Sequence, residues 1–178
     1  MIQADAEILS VRRDGAYYHM SFAAPGIADG FRPGHFVAIA VDDAHILRRA
    51  FSIRSASTKA GGALQIIVSP KGPGTKWLVA RRPGDVINVI APLGQPFRLP
   101  TEPVPCVLVG GGYGVAPLFE LANQLRARGC TVEIIVGAGD AERLHGVVEA
   151  RRVSDAVHVT TDDGSAGEQG RVTDPLRR

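Results

Sequence analysis

Residues 109–117 read Val-Gly-Gly-Gly-Tyr-Gly-Val-Ala-Pro, and no other stretch restricts the possible folds as much. The run Cys106–Val109 that leads into it is continuously apolar, as a strand buried on both faces of a parallel sheet must be. Beyond it, Leu118, Phe119, Leu121, Ala122 and Leu125 recur at helical spacing, which predicts a helix over Ala116–Arg128 stopped by Gly129. A strand that turns through glycines into a helix lets backbone N–H groups approach a phosphate at the helix N-terminus. Pro117 suits the first helical turn, where its missing N–H costs nothing. Taken alone, the same turn also fits a tight strand-to-helix connection with no ligand.

The grammar on the two sides of this region differs. Downstream, Thr131–Val136 reads as a strand, Ala141–Arg151 as a helix and Ala156–Thr160 as a third strand. Strand, helix, strand, helix, strand is the start of a doubly wound α/β domain. Upstream, short strands are predicted at Ala6–Val11, Ala16–Phe22, His35–Val41, Phe51–Ser55, Ala63–Ser69 and Val86–Ile90. They are punctuated by Asp14-Gly15, Pro33-Gly34 and Pro83-Gly84, the pattern of an antiparallel barrel. Thr101–Pro105, with two prolines, reads as a linker. The expected organisation is an antiparallel β-barrel over 1–99 and a partial α/β doubly wound nucleotide-binding domain over 100–178.

Composition removes several function classes. With 178 residues, 45% of them hydrophobic, and a net charge of +2, the chain has material for a real core and little reason to be disordered. Its arginines occur as scattered pairs with few aromatics among them, so no nucleic-acid partner is expected. Cys106 and Cys130 are the only cysteines and lie far apart in sequence without CxxC spacing, which predicts buried reduced thiols. The five histidines, at 19, 35, 45, 145 and 158, show no HExxH spacing, and no metal site is assigned. No GxSxG nucleophile is present. The N-terminus has no apolar leader and no run reaches a membrane-spanning length, so the expected compartment is the cytoplasm, without membrane attachment.

Three further segments carry chemistry. Arg49-Ala50-Phe51-Ser52 leads into a predicted barrel strand and sets a guanidinium fork near a hydroxyl, although taken alone a half-buried strand with an exposed arginine is the plainer reading. Lys71-Gly72-Pro73-Gly74-Thr75-Lys76-Trp77-Leu78 is a glycine-rich turn into a short helix, which serves as an ordinary cap at Thr75 or as a diphosphate seat. Pro92-Leu93-Gly94-Gln95-Pro96-Phe97 follows the last predicted strand of the barrel region. The adjacent acids Asp162 and Asp163 fall at the carboxyl end of a strand, where open α/β sheets bind ligands, although a solvated acidic turn is the plainer reading.

In this order and spacing the segments resemble the ferredoxin–NADP reductase superfamily. Within it, the chain is most similar to the dihydroorotate dehydrogenase electron-transfer subunit family. That likeness is carried by Leu47–Ile53, Lys71–Leu78, Gly110–Leu125 and the string Thr160-Thr161-Asp162-Asp163-Gly164-Ser165-Ala166-Gly167-Glu168-Gln169-Gly170 with Val172-Thr173-Asp174. The resemblance implies that the barrel binds FAD and the second domain a nicotinamide nucleotide, NAD(H) being the electron donor. It implies cofactor contacts at Arg49, Ala50, Phe51, Ser52, Ile67, Val68, Ser69, Gly72, Gly74 and Thr75 for the flavin. For the nucleotide it implies Gly111, Gly112 and Gly114. No catalytic side chain is implied, because the flavin carries the chemistry and the protein orients it.

An intact relative passes electrons from NAD(P)H through FAD to a catalytic dehydrogenase subunit of pyrimidine biosynthesis. The family continues beyond the position of Arg178 through a Cys-Gly-Pro segment and a cysteine cluster holding a [2Fe–2S] centre. This chain offers no ligands for that centre, so a C-terminally truncated family member is expected. Three substitutions depart from the family pattern: Ser69 stands where an Arg is frequent, Ala50 where a Pro is, and Tyr113 where a small aliphatic residue is. A sulfhydrogenase or ferredoxin:NADP reductase subunit, or a non-catalytic flavin-binding module, shares most of the same motifs.

Overall fold

The computed structural model describes residues 1–41 and 46–177, so His45 lies outside the described residues. The chain divides into two compact units, Met1–Phe97 and Arg98–Arg178.

The first unit is a closed six-stranded antiparallel barrel in the order β1-β2-β5-β4-β3-β6. Its strands are β1 (Ile2–Asp14), β2 (Tyr17–Ala23), β3 (Phe36–Ile39), β4 (Arg49–Ser57), β5 (Ala63–Val68) and β6 (Val86–Leu93). β1 is twice the predicted length because it serves two partners. Ile2–Glu7 pairs with β6 and Ile8–Asp14 with β2, the register shifting between Ile8 and Ser10. That shift bends the strand around the barrel wall, and closure leaves no sheet edge.

The period-two pattern does what it predicts. Met20 and Phe22 on β2, Leu64 and Ile66 on β5, and Ile87 and Val89 on β6 all point into one core, which also holds Ile8, Ile39 and Ile53. Each such side chain stabilises the fold by about 1.5–3 kcal/mol relative to exposure. A short helix, α1 (Pro73–Val79), follows β5, with Gly72 at its N-cap and Leu78 anchored in the barrel core. The cap therefore stands three residues ahead of Thr75.

The second unit carries a four-stranded parallel sheet in the order β10-β9-β8-β7. It comprises β7 (Cys106–Gly111), β8 (Val132–Ala138), β9 (Ala156–Thr161) and the two-residue β10 (Glu168–Gln169), which the sequence did not predict. Helices α2 (Ala116–Ala127) and α3 (Val147–Val153) connect the strands. Right-handed crossovers in one direction put both helices on one face. There Leu118, Phe119, Leu121, Leu125 and Ala150 meet Val132, Ile134 and Val136.

The predicted helix Ala141–Arg151 needs correction. It is broken into a single tight turn at Ala141–Arg143 and the later α3. The cause is Gly146, whose φ of +77° is left-handed, and whose missing Cβ would stand 2.3 Å from Phe119 Cζ. The chain needs glycine there to bring the α3 entry onto α2.

Candidate functional site

In the barrel unit the antiparallel pairing of β4 with β5 sets Ile53 opposite Ile66. The start of β4 and the end of β5 therefore lie at the same end of the barrel. Arg49–Ser52 and Ile67–Ser69, more than a dozen residues apart in sequence, are neighbours there. On its other side β4 pairs with β3, Phe36 opposite Ser52 and Ile39 opposite Arg49. Alternation along β4 turns Phe51 and Ile53 towards the core, while Ala50 and Ser52 are exposed. Ile67 and Val68 are buried, and Ser69 is half-buried at the turn into the glycine-rich segment.

That segment returns to the same place. A Cβ on Gly74 would lie 2.9 Å from Val41 Cγ2 and 3.5 Å from Arg49 Nε. The first turn of α1 is thus packed on Val41, at a distance that favours glycine, with the Arg49 guanidinium in ordinary contact beside it. Pro73 removes one unpaired donor. The N–H groups of Gly74 and Thr75 occupy the turn where a helix lacks its own acceptors. The Thr75 hydroxyl is used locally, donating to the Gly72 carbonyl at 3.0 Å and accepting the Gly72 N–H at 3.1 Å.

The two adjacent arginines part company. Arg48 donates to the Asn88 carbonyl at 3.0 Å and to Asn88 Oδ1 at 2.5 Å, and Asn88 in turn donates to Asp5 at 2.6 Å. Arg48 thereby ties the barrel wall together. Arg49 instead curls beside its own loop, donating to the Leu47 carbonyl at 2.6 Å, with Nε towards Gly74.

In the second unit the glycines of the turn do different jobs. Gly110 is a packing glycine, since a Cβ there would meet Val115 Cα at 2.7 Å and Leu118 Cδ1 at 3.0 Å. Gly111 and Gly114 border open space, the former with only the Gly137 carbonyl at 4.0 Å and the latter with nothing within 4 Å. Gly112 takes a φ of +53°. The sequence does not separate these roles. Gly137, which the sequence reading overlooked, and Thr160, to which it gave no site role, stand level with Gly111 across the carboxyl ends of the strands. The buried Thr160 hydroxyl has no hydrogen-bond partner among the described residues and lies 2.8 Å from where a Gly137 Cβ would be.

Asp163 belongs to a turn. Its Oδ1 accepts from the Ser165 N–H at 2.9 Å and the Ser165 hydroxyl at 2.6 Å, and these bonds hold its carboxyl below the usual range. Ser165 Oγ also accepts the Ala141 N–H at 2.8 Å, joining the loops after β8 and β9. An open cleft of about 570 Å³ adjoins Asp162, lined further by Gly170, Arg171, Thr173, Asp174 and Arg177.

No family model matches the sequence. Individual proteins do. The electron transfer subunit of dihydroorotate dehydrogenase B (NAD(+)) from Desulforamulus reducens is 34% identical over 177 residues, spanning 98% of this chain and 67% of that protein. The chain belongs to this family. Its Geobacillus thermodenitrificans member is 37% identical over 165 residues, covering 90% of this chain. The chain spans 63% of the length of that relative.

Among solved structures, an NADH-dependent reduced ferredoxin-NADP oxidoreductase superposes with a TM-score of 0.85 at 30% identity, over 97% of this chain and 62% of that one. A ferredoxin NADP+ reductase from Neisseria gonorrhoeae, solved with FAD and NADP, shares the fold at a TM-score of 0.74 and 19% identity, over 98% of this chain and 76% of that one. The barrel and the parallel sheet of this electron-transfer-subunit family member thus share the fold of these two proteins. Among the described residues no helix is long and apolar enough to cross a membrane.

Proposed function

We propose that this chain is a flavin-dependent electron-transfer subunit of the oxidoreductase class, taking electrons from NAD(P)H and delivering them through FAD to a catalytic dehydrogenase partner. The observation that carries it is the approach of Gly74 to Arg49. The Arg49 guanidinium beside the first-turn N–H groups of α1 gathers the positive charge that a diphosphate needs. Arg49 would hold the diphosphate by its fork, with Gly74 and Thr75 adding backbone donors. The exposed Ser52 hydroxyl and the backbone from Ala50 to Ser52, beside Ile67–Ser69, would orient the isoalloxazine. When bound, the flavin supplies the conversion between two-electron and one-electron transfer; the chain contributes position and water exclusion. Gly111, Gly112 and Gly114 would admit the nicotinamide nucleotide's phosphates to the N-terminus of α2.

The test is direct. Purified protein titrated with FAD should quench flavin fluorescence at a stoichiometry of one, and NADH should then bleach the visible flavin band. A protein that leaves the FAD signal unchanged would overturn the reading. A second reading, a ferredoxin-NADP oxidoreductase subunit, is favoured by the 0.85 TM-score to that enzyme. The acceptor distinguishes them, ferredoxin supporting the second and a dihydroorotate-oxidising subunit the first.

A further inference from the structure

The two cysteines that the sequence separates are brought together by the second unit. Cys106 opens β7, and its N–H donates to the Thr131 carbonyl at 2.8 Å. Cys130 stands one residue before Thr131, on the turn that enters β8, where Cys106 pairs with Val132. Both side chains lie on the helix-covered face, Cys130 inside the apolar cluster and Cys106 packed against it. Cys130 precedes Val132, the parallel-strand partner of Cys106, by two residues and so lies on the same face of the sheet, diagonally across from it. Their burial differs: Cys130 is 5% exposed, whereas Cys106 is half-buried, with its S–H directed at the Val104 carbonyl 3.6 Å away.

We propose that Cys106 and Cys130 form a dithiol modification site, closed to an intramolecular disulfide by peroxide-class oxidants. Cys106 is the sulfur that solvent reaches, so its thiolate attacks hydrogen peroxide, the O–O bond breaks, and Cys106 sulfenic acid and water result. The Cys130 thiolate then attacks the Cys106 sulfur, the S–O bond breaks, and a second water leaves as the S–S bond forms. Two electrons pass from the sulfurs to one peroxide, and two thiols with one H2O2 give one disulfide and two waters. No third cysteine competes within the chain.

Burial first, and then the neighbouring Cys130 thiol, push the Cys106 thiol above its ordinary range. Since the thiolate is the reactive form, closure is slow at neutral pH and accelerates as pH rises. The bond would clip the start of β7 to the turn after α2. That is the end of the strands opposite the glycine turn, so the site is independent of the proposed electron-transfer function.

The full chain, reduced and desalted, is treated with hydrogen peroxide at pH 8 and followed by intact mass and by thiol titration under denaturing conditions. Loss of both thiols, a mass lower by two hydrogens, monomeric migration without reductant and full reversal by dithiothreitol are expected. In Cys130→Ser the sulfenic acid on Cys106 persists and is captured by dimedone, while the wild-type chain gives little adduct. Oxygen adducts on Cys106 with Cys130 still free would overturn the proposal. So would a disulfide-linked dimer, equal dimedone capture in both proteins, or both thiols surviving peroxide that oxidises free glutathione.

Discussion

The guanidinium Nε of Arg49 lies 3.5 Å from the point that a Cβ on Gly74 would occupy, so strand β4 and the start of α1 meet at one glycine. This contact joins two motifs 25 positions apart into one candidate anion seat.

Removing the fork should weaken flavin binding without unfolding the barrel. A hydrogen bond to a charged group is worth about 1.5–3 kcal/mol, so Arg49→Ala should raise the Kd for FAD by about ten- to a hundred-fold. Arg49→Lys should recover part of this, since an ammonium keeps the charge but not the bidentate geometry. Gly74→Ala should also weaken binding, because the new methyl group presses on Val41 Cγ2 at 2.9 Å. Fluorescence titration measures all three, and unchanged affinity in Arg49→Ala would remove Arg49 from the site.

The turn glycines should separate by stability. Gly110→Ala drives a methyl group into Val115 and should cost about 1–3 kcal/mol, as overpacking does. Gly114→Ala meets no atom within 4 Å and should change stability by less than about 0.5 kcal/mol, while lowering nucleotide affinity. Urea unfolding of the two variants compares the first effect, and a nucleotide titration the second.

Thr160→Val should be neutral or stabilising by about 1 kcal/mol, because it replaces an unsatisfied buried hydroxyl with a group of the same shape. A clear loss of stability in the urea midpoint would show that the hydroxyl is satisfied in solution.

Acid should loosen the barrel through His35. Its ring is 7% exposed, and Nδ1 accepts the Arg32 N–H at 3.1 Å, which requires the neutral imidazole. Desolvation first, and then Arg32, lower its pKa below the ordinary histidine value. The unfolded chain therefore takes up a proton before the folded one does. The contribution is fully present above the ordinary histidine pKa of about 6.5 and is lost as pH falls through the lower folded value. Melting temperatures between pH 7.5 and 5.5 should fall, and His35→Asn, which keeps an acceptor without titrating, should flatten part of that slope. The remainder includes His19, lowered mainly by desolvation.

Much of the architecture was legible in local pattern. The apolar pattern predicts β5 over Ala63–Ser69, where the strand runs Ala63–Val68, and α2 over Ala116–Arg128, where the helix runs Ala116–Ala127. Here apolar period and glycine stops are local signals that packing reinforces. The failures came where a distant partner decided. β1 runs on to Asp14 because two different strands pair with it, and the helix at 141–151 breaks because Phe119, from another helix, needs room at Gly146.

By itself the sequence determined the barrel strands, the strand-turn-helix at Gly110–Pro117 and the order of the motifs that mark the family. These depend on residue type and near-neighbour spacing. Only the tertiary structure decided which arginine is structural and which faces the candidate site, which glycine packs and which opens the turn, and that Cys106 and Cys130 adjoin. Those are contacts between segments remote in the chain. Strand register and helix packing set them, and no local periodicity encodes them.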